Sequence, residues 1–205
     1  TSTLCRRISS IYKFYRENDF RYLQFIPCLD PIEKDREDYG KYSPTADEYG
    51  DFLNLLFNMW YRDMKQGHWV SIRYFDNLIN LMLGYGYEAC DMGGICSCQS
   101  IIEADGSVYP CDFYAYEDYR LGNILEDTFE DIFRSDSLKK FINYSIENID
   151  DRCLNCKYRY ICNGGCRRYR ENQYDNKNVL CEGFKKFFDA NLNRLQEIAY
   201  LNYVH

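Results

Sequence analysis

The chain has 205 residues, a formal net charge of −7 and a 46% share of hydrophobic residues. It is long enough to bury a core, and its acidity excludes the basic footprint of a nucleic-acid-binding surface. No apolar run approaches the roughly 18–20 residues of a membrane-spanning helix, and residues 1–10 carry Cys5, Arg6 and Arg7 where a secretory leader would be apolar.

In chain order, residues 3–17 place Leu4, Ile8, Ile11 and Tyr15 on one helical face, with Asn18-Asp19 as the stop. Residues 21–27 read as a buried strand halted by Pro27 and Pro31, and residues 30–43 as a charged, turn-rich loop. A helix–strand pair alone cannot form a parallel sheet, so residues 1–29 are read as the tail of a larger barrel or sheet. The clearest helix spans 45–66. Thr45 and Glu48 form a capping box, Tyr49, Phe52, Leu53, Leu56 and Trp60 line one face, and Gly67 closes it. Residues 69–75 predict a strand, and 76–84 a short helix ending at Gly84. Asp105-Gly106, between two strand-like runs, is the signal of a two-residue hairpin loop. Asp127 with Glu130 starts a short helix, and 135–145 form another. A closing amphipathic helix over 181–201 turns Phe184, Phe188, Leu192, Leu195 and Ala199 inward. The 21 tyrosines suit half-buried surfaces with a wet polar tip.

Eleven cysteines pose the chemical question. An odd number in an acidic chain without an export signal disfavours full disulfide pairing, and metal ligation in the cytoplasm is expected instead. One group reads Cys153-x2-Cys156-x5-Cys162-x3-Cys166, then Cys181; upstream stand Cys90-x5-Cys96 and Gly106-x4-Cys111. A CxxC turn delivers two thiolates to one centre, and Gly164-Gly165 lets the backbone bend closely around it. Eight thiolates make two four-coordinate sites. Zinc and iron–sulfur clusters both accept such ligands, and spacing leaves both open. Spacing also groups Cys153, Cys156, Cys162 and Cys166 on one centre. His68 and His205 read as bystanders. Cys5, Cys28 and Cys98 read as small buried apolar residues, Cys98 being the one inside the cysteine-rich loop.

The order of these cysteines resembles the SPASM domain, which follows the barrel of many radical S-adenosylmethionine enzymes that modify peptides. The stretches LQFIPC, YGDFLNLLFNMW, VSIRYFDNLINLMLG, DGSVYPCDFY, RLGNI and CNGGCRRYR are similar to parts of the anaerobic sulfatase-maturating enzymes. The resemblance implies an α+β fold. Residues 1–29 would end a partial (β/α) barrel, 30–84 would supply linker helices and a strand, and 85–205 a SPASM domain with a hairpin and flanking helices.

The same resemblance implies two auxiliary [4Fe–4S] clusters, one on Cys90, Cys96, Cys111 and Cys166, the other on Cys153, Cys156, Cys162 and Cys181. It implies oxidation of a Cys or Ser of a sulfatase to formylglycine. That reaction takes a hydrogen from the substrate Cβ and then an electron and a proton. Asp112 is the implied base, and an extended Cys111-Asp112 would send the thiolate and the carboxylate to opposite sides. S-adenosylmethionine and a third [4Fe–4S] cluster need a Cys-x3-Cys-x2-Cys motif that this sequence lacks, so the step they drive belongs to an N-terminal barrel outside it. The implied partners are that barrel and an unfolded sulfatase peptide, with neither nucleic acid nor membrane. Other readings are a different SPASM peptide maturase, an electron-relay or peptide-binding module, or a zinc-bound scaffold. Tyr114, Tyr116 and Tyr119 read as packing at the hairpin edge rather than as a peptide groove.

Overall fold

The computed structural model describes residues 1–31, 37, 40–171 and 176–204. Residues 32–36 and 38–39 of the expected loop, and His205, lie outside the described residues. Two units emerge, 1–88 with 179–205, and 89–178. Among the described residues no helix is long and apolar enough to cross a membrane.

In the first unit the expected opening helix is divided into α1 (Ser2–Cys5) and α2 (Ile8–Glu17). Its buried stripe is Cys5, Ile8 and Tyr12, while Leu4 is exposed. The face is turned from the expected one because Tyr12 is anchored: its hydroxyl donates to Asp63 Oδ2 at 2.7 Å, and Arg16 pairs with the same oxygen. The strand expected at 21–27 shrinks to β1 (Tyr22–Leu23). It finds a parallel partner inside this chain, β2 (Ser71–Ile72), with Tyr22 opposite Ser71. The crossover between them carries α3 (Ala46–Lys65).

Helix α3 begins as its sequence dictates. Glu48 N–H donates to Thr45 Oγ1 at 3.2 Å, and Thr45 N–H donates to Glu48 Oε2 at 3.1 Å. All five expected apolar residues are buried, with Phe57 beside them. The strand expected over 69–75 gives way at Arg73 to α4 (Arg73–Met82), because Phe75, Leu78 and Ile79 bury together at helical spacing. The closing helix, Cys181–Val204, buries Phe187, Phe188, Leu195, Ile198 and Ala199. Phe184 and Leu192, expected in that stripe, are only half-buried. Phe75 stacks on Phe187 at 5.7 Å, and Phe57 meets Phe75 edge-on at 5.2 Å. The closing helix crosses α3 at Gly50 and Gly183. A Cβ on Gly183 would lie 2.2 Å from the Ala46 carbonyl oxygen, and one on Gly50 would lie 3.0 Å from Gly183 Cα.

The second unit starts with α5 (Cys90–Gly93), followed by the hairpin of β3 (Ile101–Ile102) and β4 (Ser107–Tyr109). Ile102 faces Val108, and β5 (Gly122–Asn123) adds a third antiparallel strand against β4. The hairpin loop has three residues rather than two. Gly106 N–H bonds to Glu103 O, Glu103 N–H bonds to Ser107 O, and Gly106 sits at φ +85°. That is a tight turn ended by a left-handed glycine, the other geometry open to an Asp-Gly pair. Buried Asn123 clips it, donating to Asp105 O at 3.0 Å. The helices α6 (Phe129–Arg134), α7 (Asp136–Glu147), α8 (Asp151–Leu154), α9 (Arg159–Cys162) and α10 (Arg167–Arg170) complete the unit. The cap of α6 is Thr128 with Asp131, one residue beyond the expected pair. Asp127 instead accepts from Asn123 N–H at 2.8 Å.

Gly183→Ala is expected to destabilise the first unit by about 1–3 kcal/mol through overpacking. Gly86→Ala, which meets open space, should stay within about 0.5 kcal/mol. Urea unfolding of both variants checks the crossing, and equal midpoints would refute it.

Candidate metal centre

Cysteines far apart in sequence meet in the second unit because two glycines admit close backbone approach. Gly94, at φ +67°, ends the turn that follows Cys90. A Cβ there would fall 2.1 Å from the Asn163 carbonyl oxygen. Asn163, itself left-handed at φ 49°, donates its side-chain amide to Met92 O at 2.9 Å. The Cys90–Cys96 loop thus lies directly on the Cys162–Cys166 turn. Gly165, at φ +72°, completes that turn, and a Cβ there would fall 2.3 Å from Asn178 Nδ2. Cys96 N–H donates to Ser145 Oγ at 2.9 Å, tying the loop to α7.

The thiols report their neighbours electrostatically. Cys111 is pushed up to about 12, by burial first, then by its hydrogen bond to Asp112, with Cys166 also contributing. Cys166 is likewise pushed up to about 12, by burial first and then by Cys96 and Cys90. Burial raises Cys90 and Cys96 too, and Cys90 adds to the rise at Cys96. Among these thiols, Cys96 and Cys90 act on Cys166, Cys90 on Cys96, and Cys166 on Cys111. Burial raises Cys153, followed by Asp150 and Cys156. Spacing groups Cys166 with Cys153 and Cys156, while the thiols that act on Cys166 are Cys96 and Cys90. Cys162 ends α9, and Cys181 opens the closing helix of the first unit.

Two buried arginines that the sequence reading passed over lie one turn beyond Cys166. Arg167, 6% exposed, has its guanidinium 4.1 Å from the Tyr144 ring centre, 4.7 Å from Phe141 and 4.9 Å from Tyr114. Its Nε pairs with Glu171 at 2.6 Å. Tyr114 donates to the other Glu171 oxygen at 2.5 Å and meets Tyr119 edge-on at 4.8 Å. Tyr114 and Tyr119 are thus packing residues, as expected, while Tyr116 is exposed. Arg170, 2% exposed, donates to Ser145 O at 2.8 Å and to Gly94 O and Asn148 O at 3.0 Å. The signal for both was the pair of arginines three residues apart in CRRYR, among a chain otherwise rich in aromatics.

Asp112 departs from the expected alternation. Cys111 is extended, at φ −161°, but Asp112 already begins a single 3-10 turn over Asp112–Tyr114. The two side chains therefore meet, Cys111 Sγ donating to Asp112 Oδ1 at 3.0 Å, and Asp112 stays exposed. Cys5 is buried as expected, but Cys28 and Cys98 are half-buried. Cys98 Sγ lies 3.5 Å from Ser100 Oγ. His68 is exposed, with no donor role in the set.

The donor set is all thiol, which selects soft metals and iron–sulfur centres. Among the described residues no three Cys, His, Asp or Glu side chains converge on a single-ion site.

Residues 90–157 match the SPASM family, described as an iron–sulfur cluster-binding domain. The thiol-rich site described above lies largely within those matched residues. The cysteine-type anaerobic sulfatase-maturating enzyme of Clostridium novyi is 48% identical over 197 residues, 95% of this chain and 52% of that protein. The serine-type enzyme of Bacteroides thetaiotaomicron is 26% identical over 194 residues, 86% of this chain and 46% of that protein. A solved structure described as native anSMEcpe with bound AdoMet and Cp18Cys peptide superposes with a TM-score of 0.91 at 40% identity, covering 100% of this chain and 56% of its own. The chain is a homologue of the anaerobic sulfatase-maturating enzymes and spans about half the length of the curated relatives it matches.

Cys166→Ala in the anaerobically reconstituted protein is expected to lower the iron content, while Cys98→Ala keeps the full content. Iron and sulfide analysis checks this; full iron in the Cys166 variant would count against Cys166 as a ligand.

Proposed function

We propose that this chain is the auxiliary-cluster part of a cytoplasmic radical S-adenosylmethionine enzyme that oxidises a side chain of an unfolded sulfatase peptide to formylglycine. The observation that carries this is 48% identity with a cysteine-type enzyme along 95% of the chain, joined to the coupled thiols. The 26% identity with a serine-type enzyme favours cysteine as the residue oxidised. In this reading Cys90, Cys96, Cys111 and Cys166 hold one [4Fe–4S] cluster, and Cys153, Cys156, Cys162 and Cys181 hold a second. Residues 1–29 close a barrel, 30–84 link, and 85–205 form the cluster domain. S-adenosylmethionine and a third cluster are assigned to a segment bearing the Cys-x3-Cys-x2-Cys motif that this sequence lacks.

The clusters, when bound, supply an acceptor for the electron that leaves the substrate. The proton is the concern of this chain. Asp112 is exposed, so a peptide can reach its carboxylate. Its position is held by the 3-10 turn, in which Tyr114 N–H bonds to Cys111 O at 2.9 Å, and by buried Tyr114 beneath it. A carboxylate held beside the substrate Cβ takes up the proton as the electron departs. The thiol proton that Asp112 accepts from Cys111 here is absent once Cys111 is a cluster ligand, which frees Oδ1 for the substrate.

Asp112→Asn in the complete protein is expected to leave S-adenosylmethionine cleavage intact and to lower formylglycine yield by about a hundredfold or more, the usual effect of losing a positioned base. Single-turnover assays count 5′-deoxyadenosine and formylglycine separately. Equal formylglycine from variant and wild type would remove Asp112 from the mechanism.

A further inference from the structure

We propose that Glu171 is a positioning residue for Asp112, acting through the buried Tyr114 hydroxyl and itself held in place by Arg167. The inference rests on the reading of Asp112 as the base and adds to it a carboxylate that acts at second hand.

Asp112 takes its place from its turn. It is exposed, and the 3-10 turn that carries it has only three residues, Asp112–Tyr114. The hydrogen bonds of so short a run are poor, so the turn is oriented by the side chain that it buries. That side chain is Tyr114, 1% exposed. Its hydroxyl reaches across 57 residues of chain and donates to Glu171 Oε2 at 2.5 Å. The other Glu171 oxygen accepts from Arg167 Nε at 2.6 Å. Arg167 is buried and donates through Nη1 to Phe141 O, on α7, at 3.1 Å. The Tyr114 and Phe141 rings meet edge-on at 5.0 Å. Tyr114 is therefore gripped twice, by its ring on α7 and by its tip on Glu171, the residue that follows α10.

The two grips differ in kind. Apolar packing is non-directional and leaves a ring free to tilt. A hydrogen bond to a carboxylate is short, directional and about twice as strong as one between neutral groups. The Glu171 contact therefore sets the tilt of Tyr114 and, two residues away, the place of the Asp112 carboxylate. A base works only within hydrogen-bond reach of its proton, and a misplacement of about 1 Å costs on the order of a hundredfold. Tyr119 supplies the contrast. Its ring packs on Tyr114 at 4.8 Å and lies 5.6 Å from the Arg167 guanidinium, but it belongs to a separate turn, Glu117–Tyr119.

The test uses the complete protein, reconstituted anaerobically, with a cysteine-containing sulfatase peptide, and reads the ratio of 5′-deoxyadenosine to formylglycine. Loss of folded or loaded protein lowers both products together and leaves that ratio alone; a misplaced base raises it. Tyr114→Phe and Glu171→Gln are each expected to raise the ratio by about tenfold to a hundredfold, and Tyr119→Phe to keep the wild-type ratio. The double variant should be no worse than the poorer single one, because both changes break one contact. Should Glu171→Gln fail to fold, Tyr114→Phe, which keeps the Glu171–Arg167 pair, decides alone. A wild-type ratio in Tyr114→Phe or in folded Glu171→Gln, additive effects in the double variant, or an equal rise in Tyr119→Phe would overturn the proposal. Asp112→Asn tells this failure from that of the reading beneath it. A raised ratio there beside unchanged Tyr114 and Glu171 variants sinks only this inference, whereas an unchanged ratio removes the base and the inference with it.

Discussion

The Asn163 carbonyl oxygen occupies the place where any side chain at position 94 would have to stand. That contact brings two sequence-distant cysteine segments onto one another without a disulfide. The rest of the second unit serves it. Left-handed Asn163 turns the chain so that its carbonyl points at Gly94 and its amide reaches Met92. Gly165 continues the bend against Asn178.

Burying arginine beside such a junction is costly unless every contact is made. The unit lowers that cost in two ways. Arg167 is enclosed by rings and paired to a carboxylate. Arg170 is held by three main-chain carbonyls, which are dipoles rather than charges.

Much of this was legible in the sequence where a local rule decides the outcome. The capping box of Thr45 and Glu48, the apolar stripe of α3 and the stops at Gly67 and Gly84 depend on residues within a turn or two. The alternation inferred for Cys111 and Asp112 failed because nothing local announces that a strand ends and a 3-10 turn starts between them. The grouping of Cys166 with Cys90 rests on the resemblance, since spacing favours its chain neighbours. The opening helix was misaligned by a partner 51 residues away, Asp63. Arg170 escaped altogether, because a basic residue in a short polar segment reads as surface.

The glycine crossing of α3 and the closing helix has a consequence for how the protein comes to be. Asn54 and Asn191 meet across 137 residues of chain, and between them the whole second unit must be synthesised. Contacts that distant form late, since loop closure precedes their reward. During translation the aromatic face of α3, with Phe57 and Trp60, has left the ribosome long before Phe187 exists to cover it. A nascent chain in that condition is a natural client for a chaperone. Protein truncated anywhere before the closing helix would carry that uncovered face as a permanent aggregation hazard.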